Sequence, residues 1–172
     1  MRTKRIDGER ESMPRERKAR SAEQALSALM RLAARSEKSS GDARRLMDRW
    51  MVPVEEREGV LQKLIEQRFI DDRRYSEAYA REKSKLSGWG GRKIAMQLRS
   101  KGVSGDIIAE VLATLDGDTQ RARLVEKLRR KVATIKAATE YELRGKLLRY
   151  ALSLGYDYDA AIDAVDSTVA ER

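Results

Sequence analysis

The sequence contains no cysteine and no histidine, and it has only two prolines and one phenylalanine among its 172 residues. Without cysteine the chain can form neither a disulfide nor a thiol nucleophile, and without histidine it lacks the usual general base and a common zinc ligand. Hydrolytic sites of the Ser-His-Asp or Cys-His kind are therefore excluded. We expect a protein that is not an enzyme and that uses no cofactor and no metal.

Long apolar runs are also absent from the sequence. No stretch approaches the roughly 18 apolar residues of a membrane span, and the first 20 residues lack the apolar core of a signal peptide. These observations predict a cytoplasmic protein with no membrane association.

The sequence has an excess of basic residues. Lysine and arginine number 37 against 28 aspartates and glutamates, which gives a formal net charge of +9. This excess favours a polyanionic partner, although cations that only solubilise helix faces would give the same total. Between Arg121 and Arg149, ten cations face only three acids. A merely solvated surface would mix the signs more evenly, so this cluster favours a binding role.

Apolar residues recur with the helical period of 3.6 residues throughout the chain, which predicts an all-α protein. The first helix is predicted from Ala22 to Arg35, behind Ser21 and Gln24 at the spacing of a capping box. A fourth helix is predicted from about Arg73 to Leu86. Its apolar stripe would consist of Tyr75, Ala78, Tyr79 and Leu86, and the two tyrosines are expected in the core. The Gly88–Gly91 stretch that follows it is predicted to be a flexible loop.

The sequence repeats itself. Met47 to Leu64 aligns without a gap on Leu98 to Leu115, a shift of 51 positions. The alignment pairs Met51-Val52-Pro53 with Gly102-Val103-Ser104, and a weaker third copy adds Gly155-Tyr156-Asp157. We infer three tandem three-helix repeats that form an elongated, curved helical array. The predicted units are residues 21–70, 71–116 and 117–172, preceded by a basic arm, residues 1–20, that is expected to be disordered when free.

Two features of the sequence could form a metal site or a contact with a partner. Asp71 and Asp72 could belong to a metal site. Carboxylates at the start of a helix also accept hydrogen bonds from its free N–H groups, and we interpret both residues as capping residues. Trp89, in a basic setting, could stack on a base or fill a pocket in a protein partner. Ordinary packing is the alternative for Trp89.

The second repeat carries a resemblance to a known family. The run Phe69-Ile70-Asp71-Asp72-Arg73-Arg74-Tyr75, followed by Gly91-Arg92-Lys93-Ile94 and Lys101-Gly102-Val103, resembles the middle repeat of the RecX family. The first repeat is similar to the family's opening helix from Ala25 through Glu37. It departs from the family pattern at Trp50-Met51, where a turn like Lys-Gly is usual.

The resemblance implies a regulator that binds the RecA recombinase filament and inhibits or modulates its ATPase, coprotease and strand-exchange activities in recombination, DNA repair and the SOS response. The implied partners are the RecA filament and DNA within or beside it, and a monomer is expected. Two alternatives stay open. One is a helical DNA-binding protein that acts without a recombinase. The other is a metal-dependent nuclease built on Asp71 and Asp72, against which the missing histidine and phosphate loop count.

The candidate partner-binding residues are the cations of the second and third repeats together with one tryptophan. They are Arg73, Arg74, Arg81, Lys83, Lys85, Trp89, Arg92, Lys93, Arg99, Lys101, Arg121, Arg123, Lys127, Arg130, Lys131, Arg144 and Lys146. Five of them, Arg92, Lys93, Lys127, Arg130 and Lys131, are expected to be replaceable without disturbing the fold, because they lie outside the apolar stripes.

Overall fold

The computed structural model describes residues 19–171, and within this range the chain is helical with no strand. The prediction of an all-α fold is confirmed. Most of the predicted basic arm, residues 1–18, lies outside the described residues. The helices, in chain order, are α1 Ala22–Arg35, α2 Ser40–Arg49, α3 Val54–Glu66, α4 Asp72–Glu82, α5 Gly91–Ser100, α6 Gly105–Ala113, α7 Gly117–Val132, α8 Glu140–Ser153 and α9 Tyr158–Ala170.

Local capping explains where several helices begin. The first four N–H groups of a helix have no intrahelical partner, so a side-chain oxygen before the first turn stabilises the start. Ser21 and Gln24 form the predicted capping box, and α1 has the predicted bounds. Ser39 and Asp42 form a second capping box at the start of α2.

Each group of three helices encloses its own apolar core, which confirms the three-helix repeats. In every repeat the third helix packs against the other two. Leu64, Leu98 and Leu147 are fully buried, one in each core. Burial of such a leucine side chain stabilises the folded state by about 1.5–3 kcal/mol.

The turn between the second and third helices has the same construction in each repeat. Its first residue has a positive φ in all three copies, and the next residue is buried. The residue after that is the N-cap of the following helix. These turns are Met51-Val52-Pro53, Gly102-Val103-Ser104 and Gly155-Tyr156-Asp157, the triplets that the sequence alignment pairs.

The repeats join through their middle helices. The turn after α5 lies against the N-terminus of α2, where Ser39 Oγ donates to the carbonyl oxygen of Lys101 over 2.7 Å. A Cβ atom on Gly41 would overlap that same carbonyl group. The approach therefore requires a glycine at this position, and it brings the positive end of the α2 dipole to the negative end of α5.

The second and third repeats meet in the same way. The amide of Gly90 donates to the carbonyl oxygen of Leu154 over 2.8 Å, and the amide of Arg92 donates to that of Gly155 over 3.0 Å. A Cβ atom on Gly90 would lie 2.5 Å from the Gly155 oxygen. The interpretation of Gly88–Gly91 as a flexible loop is therefore wrong, because its backbone is held in the contact between two repeats.

The predicted fourth helix also needs correction. Its α-helical part ends at Glu82, and the chain continues as a π-helical turn, Lys83–Ser87. A π turn holds more residues than an α turn and so rotates the side chains that follow it. As a result Ser84 is buried while Leu86 is 74% exposed. Leu86 and the exposed Ala78 do not belong to the apolar face, whereas Tyr75 and Tyr79 stack with their ring centroids 5.9 Å apart and pack in the second core.

Candidate partner-binding surface

The two aspartates at the start of the fourth helix both bind helix N-termini. The side chain of Asp71 accepts from the amide of Arg74 over 3.0 Å and so caps α4. Asp72 instead accepts from the amide and the hydroxyl of Ser40, over 2.7 and 2.5 Å, in the first turn of α2. The capping interpretation is thus confirmed for Asp71, whereas Asp72 caps a helix of another repeat and not the helix that follows it. Within residues 19–171 no group of three or more acidic side chains is placed to hold a metal ion.

Three of the candidate cations line one groove between the second and third repeats. Arg81 and Lys85 come from the end of α4 and its π turn, and Arg123 comes from α7. Arg123 is held in place because its guanidinium donates to the buried Ser84 hydroxyl over 2.9 Å. The groove has a volume of about 370 Å³ and one acidic residue, Glu77. We call this set of Arg81, Lys85 and Arg123 the basic groove.

Trp89 lies at the contact between the second and third repeats. It packs against both of their cores and is partly buried. Two ammonium groups lie near its ring, with Lys83 Nζ at 5.7 Å and Lys93 Nζ at 4.7 Å from the centroid. Such cation–π contacts contribute about 0.5–1 kcal/mol each at exposed sites. The packing role of Trp89 is present in the structure, and its contact role stays a prediction.

Two candidate lysines near Trp89 take part in the same contact between repeats. Lys93 Nζ donates to the carbonyl oxygen of Ser153 over 3.1 Å. The side chain of Lys127 occupies the space that a Cβ atom on Gly88 would fill. The expectation that both could be replaced without disturbing the fold stays a prediction, although each replacement would remove a contact that joins the repeats.

Several candidate cations form ion pairs within the chain. Arg74 joins the first two repeats, with its Nε 2.8 Å from a carboxylate oxygen of Glu37, and this hydrogen bond raises the pKa of Arg74. Exposed ion pairs contribute little to stability, but they leave less net charge for a partner. The other pairs are Arg73 with Glu110, Lys83 with Glu82, Lys101 with Asp42, Arg130 with Glu126, Arg144 with Glu140 and Asp166, and Lys146 with Glu142.

The remaining four candidates are spread over two repeats. Arg92 and Arg99 are exposed on α5 and form no ion pair within residues 19–171. Arg121 lies 3.4 Å from the hydroxyl of Ser167, and Lys131 Nζ lies 5.2 Å from the ring centroid of Tyr150. The structure therefore does not bring all the candidates into one site.

A second basic cleft lies between the first and second repeats, and sequence reasoning missed most of it. Its cations are Lys38, Arg45, Arg49 and Lys101, and only Lys101 was a candidate. A signal existed in the sequence, since Arg45 and Arg49 are one helical turn apart on α2. Lys101 could not be grouped with them, because the contact that brings it there is between repeats. We call these four residues the junction cleft.

None of the helices in the described part of the chain is long and apolar enough to cross a bilayer.

Comparison with known proteins identifies relatives of the chain. A family model described as RecX, second three-helix domain, matches residues 71–112. The chain is 29% identical over 170 residues to the regulatory protein RecX of Mycolicibacterium smegmatis, which covers 96% of this chain and 88% of the relative. It is 32% identical over 108 residues to the regulatory protein RecX of Clostridium botulinum strain Eklund 17B, covering 62% of this chain and 50% of the relative. The match thus spans about half the length of the clostridial relative.

Solved structures agree with these matches at the level of the fold. The crystal structure of RecX from Lactobacillus salivarius superposes with a TM-score of 0.74 at 18% identity, covering 87% of this chain and 97% of that one. A second crystal structure of a regulatory protein RecX superposes with the same TM-score at 21% identity, over 88% and 72% of the two chains. With the three-helix repeats and the family-like motifs of the second repeat already established, these matches show that residues 71–112 are similar to the second three-helix domain of RecX and that the chain resembles a regulatory protein RecX along nearly its whole length.

Proposed function

We propose that this protein regulates the RecA recombinase by binding the RecA filament on DNA and inhibiting or modulating its ATPase, coprotease and strand-exchange activities. The observation that carries the proposal is the basic groove, because it gathers three cations, two of which lie in the repeat that matches the RecX family model. A filament on DNA is a regular polyanionic assembly, and such a partner suits cations placed at the contacts between repeats.

The physical requirement on such a regulator is selectivity between states of the filament. A bound protein changes an activity only if it binds one conformation more tightly than the other. Repeats that are joined by backbone contacts at Gly41 and Gly90 present their surfaces at a fixed spacing. In our proposal, the fixed spacing fits one state of the filament and so stabilises a state with lower turnover.

The test is the DNA-dependent ATPase of the cognate RecA, measured while the protein is titrated in. We expect wild type to lower the rate, and we expect an Arg81→Glu, Lys85→Glu variant to require a concentration at least about tenfold higher, which corresponds to about 1.4 kcal/mol of binding free energy. Both side chains are exposed, so the melting temperature should hardly change.

The matched control is Arg31→Glu, Arg35→Glu. These two exposed cations are also one turn apart, but they lie on α1, away from the basic groove. Inhibition by the control should equal that of wild type. An unchanged ATPase with wild type, or an equal loss in both variants, would contradict the proposal. Inhibition that disappears when DNA is in excess would favour the alternative, a DNA-binding protein that acts without contacting the recombinase.

A further inference from the structure

We propose that the junction cleft between the first and second repeats binds phosphodiester groups of a nucleic-acid backbone. The inference deepens the proposed function, on which it rests for the presence of DNA beside the protein. It assigns a binding role to Lys38, Arg45 and Arg49, which neither the family-like motifs nor the basic groove contains.

The cleft forms where the turn after α5 meets α2. Asp42, Arg45 and Arg49 project from one side of α2, and Lys38 precedes this helix while Lys101 ends α5. The cleft has a volume of about 290 Å³ and is open to solvent. Backbone contact between Gly41 and Lys101 fixes the distance between its two walls.

Asp42, the acidic residue that lines the cleft, already contacts neighbouring residues of the chain. One oxygen of Asp42 lies 2.7 Å from Arg45 and 3.3 Å from Lys101, and the other accepts from the amide of Ser39 over 3.4 Å. Burial alone would raise the pKa of Asp42, but the hydrogen bond from Arg45 and the charge of Lys101 outweigh it, so the pKa is lowered. The carboxylate thus orients two of the cations and stays ionised.

The remaining charge in the cleft is strongly positive. Four cations face one carboxylate, and neither Lys38 nor Arg49 forms an ion pair within residues 19–171. The other acids near α2 are bound elsewhere: Asp48 pairs with Arg57, and Glu58 pairs with Arg44. Arg45 and Arg49 are like charges one turn apart, which destabilises a helix slightly, and Asp42 pairs with Arg45 but not with Arg49.

Phosphodiesters fit this arrangement better than carboxylates of a protein partner. A guanidinium group presents paired donors that match phosphate oxygens, while the compact ammonium groups of Lys38 and Lys101 act as point charges on either side. A nucleic-acid strand supplies one negative charge per nucleotide in a regular row, so several cations along one helix can be satisfied together.

The experiment measures binding of a short fluorescent single-stranded oligodeoxynucleotide to the full chain, without RecA, across a potassium chloride series. The test variant is Lys38→Gln, Arg49→Gln, which leaves the Asp42 contacts intact. The matched control is Arg44→Gln, Arg35→Gln, which removes the same charge from α2 and α1 outside the cleft. Melting temperatures of all three proteins should agree.

We expect the test variant to lose two phosphate contacts. Each contact contributes about 0.7 to the log–log slope of affinity against salt on a single strand, so the slope should fall by about 1.4. Binding at about 0.1 M salt should weaken about 25-fold relative to wild type, and the control should bind nearly as wild type does.

Three results would overturn the inference. They are no measurable binding by wild type, equal weakening of the test and control variants, and a test variant that keeps its affinity for the oligonucleotide but loses affinity for polyglutamate. The last result would assign the cleft to an acidic protein. Because no recombinase is present, failure here leaves the ATPase test of the proposed function unaffected.

Discussion

Asp72 caps a helix that belongs to the preceding repeat. Although it is the first residue of α4, its two carboxylate oxygens accept from the amide and the hydroxyl of Ser40, at 2.7 and 2.5 Å. Hydrogen bonds to a charged group contribute about 1.5–3 kcal/mol, more than those between neutral groups. This pair therefore joins the first repeat to the second as well as stabilising α2.

Replacement of Asp72 should weaken the contact between the first two repeats. We expect Asp72→Ala to lower the free energy of unfolding by about 1–3 kcal/mol, since it leaves the Ser40 amide without its partner. Urea denaturation of Asp72→Ala, Ser40→Ala and the double variant measures the coupling through the Ser40 hydroxyl, because alanine keeps the backbone amide. Asp71→Ala provides the comparison, because Asp71 caps its own helix and its effect should simply add to that of Ser40→Ala.

Met51 occupies a backbone conformation that suits glycine. Its φ is 53°, and the corresponding residues of the other repeats are glycines. The left-handed conformation destabilises the folded state by about 1–2 kcal/mol for a residue that has a side chain. Glycine avoids this strain, but it loses more conformational entropy on folding, which costs about 0.5–1 kcal/mol. We expect Met51→Gly to stabilise the protein by up to about 1 kcal/mol, visible as a higher melting temperature. A lower melting temperature would mean that the half-exposed Met51 side chain makes contacts that matter more than its backbone strain.

Replacement by alanine should have opposite effects on stability at Gly90, the N-cap of α5, and at Gly145, within α8. A Cβ atom on Gly90 would lie 2.5 Å from the Gly155 oxygen, so Gly90→Ala must push the second and third repeats apart and should cost more than about 2 kcal/mol. A Cβ atom on Gly145, within α8, would meet only the end of the Arg149 side chain at 3.6 Å. Gly145→Ala should therefore stabilise the protein by about 0.5–1 kcal/mol. Denaturant titration of both variants provides the measurement, and destabilisation by Gly145→Ala would contradict the placement of that residue.

The Asp42 carboxylate should make the first junction sensitive to acid. Because its pKa is lowered in the folded state, the ionised group stabilises the fold above the unfolded pKa of about 4, and this contribution is lost as the pH falls through the folded pKa. We expect Asp42→Asn to melt at a lower temperature than wild type at pH 7. The difference should shrink below about pH 4 and vanish in stronger acid. A difference that is independent of pH would show that the shape of the side chain matters and its charge does not.

Much of the fold follows from local signals in the sequence. The capping box at Ser21 and the period of the apolar residues determine α1, and the pairing of Met51 with Gly102 and Gly155 identified the repeated turn. These features involve residues that are neighbours along the chain. Local patterns are therefore sufficient for them.

The features that the sequence did not predict depend on contacts between repeats. The π turn at Lys83–Ser87 buries Ser84 beside Arg123 of the next repeat, which no local pattern indicates. The glycines before α5 look like a flexible loop unless the carbonyl groups of Leu154 and Gly155 are known to face them. The candidate cations do not form one site because contacts within and between repeats determine where each side chain lies. The charge of a residue does not show whether it forms an ion pair within the chain.

The way in which the repeats are joined has a consequence for how this protein can change over evolutionary time. The contacts at Gly41 and Gly90 are made with carbonyl groups, and every amino acid has a carbonyl group. Substitutions away from these glycines and from the few side chains that join the repeats, such as Asp72, can therefore alter the outward-facing side chains while the repeats keep their relative positions. Affinity for a partner can then be adjusted one repeat at a time, with the register between neighbouring binding surfaces preserved.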